Sequence, residues 1–222
     1  MAVCESGYLK SMTLLTNEGI TNMRPDSAEV LLGTCDAVFF YVGPFCYPAT
    51  NCGLLFSASI ENEHGPDGAS ATPFDSGGLA KHLSWPSKGL ETAREFFERH
   101  ELPVPEHREY LRESLQCLFA HPEDYLDSDP ESIHSGPIGL AGGDRRRWTH
   151  EVRIPGRITL RSPYLRAVFA SRNRVRVVTE MEELFNWCLE HGVDRRMFDA
   201  PEGDEFAGLR RECLEYLRET IY

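Results

Sequence analysis

Apolar and polar positions repeat along this chain with two periods, near 3.6 and near 2, and the switches between them mark out the predicted elements. Residues 8–20, YLKSMTLLTNEGI, space Leu9, Met12, Leu14, Leu15 and Ile20 as a short helix does, with Gly19 as its stop. RPDSAEVLLG (24–33) reads as a turn and a short helix. DAVFFYVGPF (36–45) is dense in β-formers and predicts a buried strand closed by Gly43 and Pro44. GLLFSASIE (53–61) predicts a second strand, and NEHGPDGASATP (62–73) an exposed loop. FDSGGLAKHL (74–83) reads as a helix entry that Asp75 or Ser76 caps. Helices are predicted over 89–100 and 105–120, the second with Pro105 in its first turn and Tyr110, Leu111, Leu115 and Leu118 on one face.

Residues 121–144 carry no regular period and form a long connection, the kind that often serves function. The period then drops to 2. THEVRI (149–154), RITL (157–160), YLRAVFAS (164–171) and RVRVVT (174–179) read as strands or hairpins. Thr179 and Glu182 make a capping box for the next helix, which Gly192 ends, and a last helix covers about 204–220. Helices and strands are segregated rather than strictly alternating. That favours an α+β fold, with a mixed or antiparallel sheet core flanked by helices, over a doubly wound sheet. The 222 residues fit a single domain, 1–222, with a helical insertion at about 89–130 and C-terminal helices at about 180–221.

Charge changes this picture at one place. The chain carries a net charge of -12, which argues against broad, non-specific nucleic-acid binding. Yet RRRWTHEVRIPGRITLR gathers Arg145, Arg146, Arg147, Arg153, Arg157 and Arg161 around one carboxylate, Glu151. In WTHEVRI, alternation sets Trp148, His150, Val152 and Ile154 on one face, and Thr149, Glu151 and Arg153 on the other, away from the core. The bland reading is a solvated ion pair on a surface strand. The sharper one is an anion-binding site beside a catalytic acid. His150 neighbours Glu151 but faces the opposite side, so a core or hydrogen-bonded histidine is expected there. Ser76, Gly77 and Gly78 are candidates to present backbone N–H groups to an anion, or simply to turn and cap. Tyr41 and Tyr47 are candidates to stack on a ring, or to fill the core.

The seven cysteines include no C-x-x-C pair, and the eight histidines add no zinc spacing. This predicts reduced thiols and a cytoplasmic protein with no structural metal. No apolar run is long enough to span a membrane.

RRRWTHEVRIPGRITLRSPYLRAVFAS resembles the final motif of ADP-ribosyltransferases, especially the DarT-like branch that modifies nucleic acids. There a catalytic glutamate opens a strand that runs into a proline and an Ile-rich return, matched here by Glu151, Val152, Ile154, Pro155 and Ile158. LLTNEGI and AVFFYVG stand where such proteins carry an early helix and an aromatic strand. The chain departs from the family on its first strand, where VCES replaces the usual His or Arg with Thr. The resemblance implies an ADP-ribosyltransferase-like fold and NAD as a substrate. It implies a macromolecular acceptor, protein or nucleic-acid base, and a toxin or defence role with room for a neutralising partner protein. Glu151 would be the catalytic carboxylate. Tyr41, Ser76, Gly77, Arg147 and Arg153 are the candidates to hold NAD, the arginines because its two phosphates suit bidentate guanidinium partners. Two rivals remain. One is a non-catalytic module whose acidic helices dock a basic partner. The other is a Mg²⁺-dependent phosphoryl-processing enzyme using Glu63, Asp67, Asp75 and Glu151.

Overall fold

The computed structural model describes residues 8–43, 52–63, 68–82, 92–121, 124–125, 128, 145–172, 178–199 and 205–221. The expectations for VCES, Tyr47, the connection 129–144 and the strand over 174–177 lie outside these residues, as does the side chain of Arg145. The protein is mixed α+β, with sheets flanked by helices. Contacts divide it into two compact units, each assembled from separate stretches of chain: residues 10–46 with 64–157, and 1–9 with 47–63 and 158–222.

In the unit formed by 10–46 and 64–157, helix α1 (Met12–Asn17) starts on Ser11, whose hydroxyl accepts from the Leu14 N–H. Helix α2 (Ser27–Leu32) has a full capping box between Asp26 and Glu29, and ends on Gly33 at φ 75°. Strand β1 (Tyr8–Lys10) corrects the helix expected over 8–20: its first turn is extended, because Ser11 caps the helix only from position 12 onward. Gly19 stops it as expected, at φ 71°.

The sheet of this unit contains β2 (Ala37–Val42), β4 (Ser70–Thr72), β5 (Leu102–Pro103) and β6 (His150–Pro155), in the order β2-β6-β4-β5 and antiparallel throughout. β4 corrects the exposed loop expected over 62–73. Its three residues are too few to show a period, yet Ala71 and Thr72 are fully buried against β6. Helix α3 (Ala93–His100) begins on a Thr92–Glu95 capping box. Phe96 and Phe97 of α3 pack with Leu32, Phe74 and Leu79 in one apolar cluster. Helix α4 (Val104–Leu118) buries Val104 and His107, and the same stripe continues through half-buried Leu111 and Leu115 of the predicted face. Tyr110 and Leu118, also on that face, remain 44% and 49% exposed.

The other unit has a three-stranded sheet of β3 (Cys52–Phe56), β8 (Leu165–Ser171) and β9 (Asp194–Phe198). β8 pairs antiparallel with β3 and parallel with β9. Only the first half of 53–61 is strand; Ala58–Glu63 winds into a 3-10 helix. β9 is a strand that the polar DRRMF pattern hid. Helix α5 (Val178–Glu190) covers Thr179, so that residue lies inside the helix rather than capping it. Gly192, at φ 62°, follows it. Helix α6 (Glu205–Ile221) buries Leu209, Cys213 and Tyr216. β1 and β7 (Arg157–Thr159) form a two-stranded sheet.

Candidate functional site

β6 lies inside its sheet, with β2 on one side and β4 on the other. Directly paired residues on antiparallel neighbours share a face. Glu151 is opposite Tyr41 on β2 and Thr72 on β4; Arg153 is opposite Phe39 and Ser70. Tyr41 and Glu151, 110 residues apart in sequence, are thereby register partners. Glu151 and Arg153 share a face as alternation requires, and Arg153 Nη1 donates to Glu151 Oε1 at 2.9 Å.

The solvated ion pair is corrected. Glu151 is 1% exposed and Arg153 2%. β6 is covered on both faces. Phe97 of α3 closes over the Arg153 guanidinium, 4.6 Å from ring centroid to carbon. On the opposite face, His107 of α4 meets His150, Nε2 to Nδ1, at 2.9 Å. His150 is thus the hydrogen-bonded core histidine that alternation predicted, at 3% exposure.

Four protein oxygens receive Arg153. Besides Glu151, Nη1 donates to Thr72 Oγ1 at 3.0 Å, while Nη2 donates to Ser70 Oγ and to Glu101 Oε1, both at 3.2 Å. Its Nε–H has no partner among the described residues. Both terminal nitrogens of the guanidinium are thus engaged by protein oxygens, Glu151 among them.

The 75–77 turn completes the site. Asp75 and Ser76 are buried, at 1% and 3% exposure. The Ser76 side chain lies beside the Glu151 carboxylate and favours its charged form. The Gly77 N–H donates to Asp75 Oδ1 at 2.8 Å, and the Gly78 N–H to the Asp75 carbonyl at 3.0 Å. Those two N–H groups are spent inside the turn, so they do not face an anion as the S-G-G pattern suggested. The capping reading of Asp75 holds, at the start of a 3-10 helix, Ser76–His82. Two bonds tie this turn to the arginine-rich segment: the Asp75 N–H donates to the Arg146 carbonyl at 2.9 Å, and Arg146 Nη1 to the Gly77 carbonyl at 3.2 Å. Arg147 stacks on Trp148, 4.6 Å from its ring centroid, and Arg157 and Arg161 are exposed.

Electrostatics follow from this burial. Desolvation pushes the Glu151 carboxyl up to about 7, the negative charge of Asp75 pushes the same way, and Arg153 and the Ser76 hydroxyl pull partly back. A carboxyl balanced near neutrality can both release and accept a proton. Burial, with the Arg153 cation adding to it, holds His107 down at about 4, so this imidazole is neutral at pH 7. One ring donates and the other accepts.

Sequence reasoning missed Ser70, Thr72, Phe97 and Glu101 as members of the site. The signal for the first two was A-S-A-T between Gly68 and Pro73, a brief alternation bracketed by breakers. Nothing local marks Glu101, which meets Arg153 only through the fold. Among the described residues no group of three His, Cys, Asp or Glu could hold a metal ion. No described helix is long and apolar enough to cross a membrane. Comparison with known proteins gives no match to the chain among family models, curated proteins or solved structures.

Proposed function

We propose that this chain is an enzyme of the ADP-ribosyltransferase kind, which takes NAD and transfers ADP-ribose to a macromolecular acceptor, with Glu151 as its catalytic carboxylate. The observation that carries this is the meeting, at one buried carboxyl held near 7, of segments distant in sequence: Tyr41, Thr72–Ser76 and Arg146–Arg153. Perturbed acids at such convergences are candidates for catalysis. The resemblance of residues 145–171 to the final motif of that family supplies the reaction class.

In that reaction the bond between nicotinamide and ribose breaks, and positive charge grows on the ribose. Ionised Glu151 would stabilise that charge, hold the ribose 2′-hydroxyl and accept the acceptor's proton. Arg153 and Ser76 hold Glu151 in place. Arg147, half-buried against Trp148, is a candidate partner for the phosphates of NAD. The macromolecular acceptor, a nucleic-acid base or a protein, belongs to the same proposal.

One observation favours a second reading. At 1% exposure Glu151 is closed to solvent, and a buried Arg–Glu pair is also what a structural network inside a non-catalytic binding module looks like. Substrate access would require Tyr41 or the 75–77 turn to move. Incubation with labelled NAD and cell extract separates the two: label transferred by wild type and lost in Glu151→Gln supports the enzyme, and no transfer to any fraction supports the binding module.

A further inference from the structure

We infer that Glu101 is a positioning residue for Glu151: by holding the second terminal nitrogen of Arg153, it sets how much of that cation's charge reaches the buried carboxylate. The inference rests on Glu151 being the working group of the site. Arg153 stands between two carboxylates, with Nη1 on Glu151 at 2.9 Å and Nη2 on Glu101 at 3.2 Å. The three differ sharply in exposure: the Glu101 side chain is 35% exposed, Arg153 2% and Glu151 1%. Glu101 is thus where this charge chain meets solvent.

Its position is fixed from both sides. Its backbone N–H closes the end of α3 on the Phe97 carbonyl at 2.9 Å. The next residue opens β5, which pairs with β4 through Leu102–Ala71 and Pro103–Ser70. Phe97 and Glu101 lie one helical turn apart, so one end of α3 supplies both the ring over the guanidinium and the carboxylate beside it. Ser70, the register partner of Arg153, donates no charge but accepts from the same Nη2.

The groups bearing on Glu151 are Arg153 on its own strand, Asp75 and Ser76 on the turn, and Tyr41 across on β2. His107 and His150 lie on the opposite face, where Arg153 also bears on His107. Glu101 acts on Glu151 only through Arg153. Removing its charge leaves the guanidinium to Glu151 alone, which favours the ionised carboxylate.

The test is carbon-detected NMR of glutamate-labelled protein, with the Glu151 carboxyl resonance assigned by its loss in Glu151→Gln. In Glu101→Gln the Glu151 titration midpoint should fall by about one pH unit. In Ser70→Ala, which removes a neutral partner of the same nitrogen, it should stay near wild type. A folded Glu101→Gln protein with an unmoved midpoint overturns the inference. Should that variant not fold, salt decides on wild type: it screens exposed Glu101 more than the buried pair, so the midpoint should fall as salt rises, and a flat series overturns the inference. None of this needs a substrate. If wild type labels nothing from NAD, the transferase reading fails while the midpoint still decides the role of Glu101; if it does label, the acid limb of its pH profile should move with the midpoint.

Discussion

Arg153 carries the largest expected consequence of any single side chain in the site. Replacing it with Met keeps its stem and its contact with Phe97, but strands Glu151 without a cation at 1% exposure. Stability should fall by roughly 3–5 kcal/mol, the usual effect of breaking a buried pair from one side, read from urea unfolding. A loss near zero would mean the pair is not buried in solution. Glu151 itself sets a pH dependence. Its folded-state value of about 7 lies above the ordinary 4.5, so the folded protein holds this proton more tightly than the unfolded chain. That contribution is whole below about pH 4.5 and is lost as pH rises through about 7. Gln mimics the protonated acid, so Glu151→Gln should gain in melting temperature relative to wild type across that window. A constant difference between the two would contradict the raised value.

Between elements, the bond joining α4 to β6 carries the opposite sign. His107 is held at about 4, below its ordinary 6.5, so its contribution is whole above about pH 6.5 and is lost as pH falls through about 4. His107→Gln should flatten the acid side of the melting-temperature profile, and an unchanged acid side would remove the imidazole pair from that account. The legibility of these elements followed their length. β6, the end of α1 and the presence of α2 were readable because alternation, caps and glycines act over a few neighbouring residues. Alternation in β6 correctly put Glu151 with Arg153 and His150 on the other side, yet it misjudged burial. A period of 2 says which residues share a face, not whether α3 and α4 will cover both. β4 and β5 were illegible because three and two residues contain no period, although they form half of the sheet. The face of α4 was legible in part: Leu111 and Leu115 are half-buried, while Tyr110 and Leu118 stay exposed.

At the scale of the whole molecule, the two compact units each draw on separate stretches of chain, an arrangement that no local pattern encodes. For the same reason the site was half legible: Glu151, Arg153, Tyr41 and Ser76 came from motifs, whereas Thr72, Phe97 and Glu101 join only when the chain folds back. The described cysteines, Cys35, Cys52, Cys117, Cys188 and Cys213, are all free thiols, while Cys4 and Cys46 lie outside the described residues. On the odd cysteine number and the absence of a C-x-x-C pair, thiol titration of denatured, unreduced protein should count all seven cysteines of the sequence, and five or fewer would reveal a disulfide. The central claim, that this molecule does chemistry at Glu151, is tested most directly by transfer from labelled NAD, followed separately on protein and nucleic acid for wild type and Glu151→Gln. Wild type should label one fraction, with transfer by the variant lower by about two to four powers of ten, the usual effect of losing a positioned acid/base or electrostatic group. Equal labelling by both proteins, or none by wild type, would contradict it.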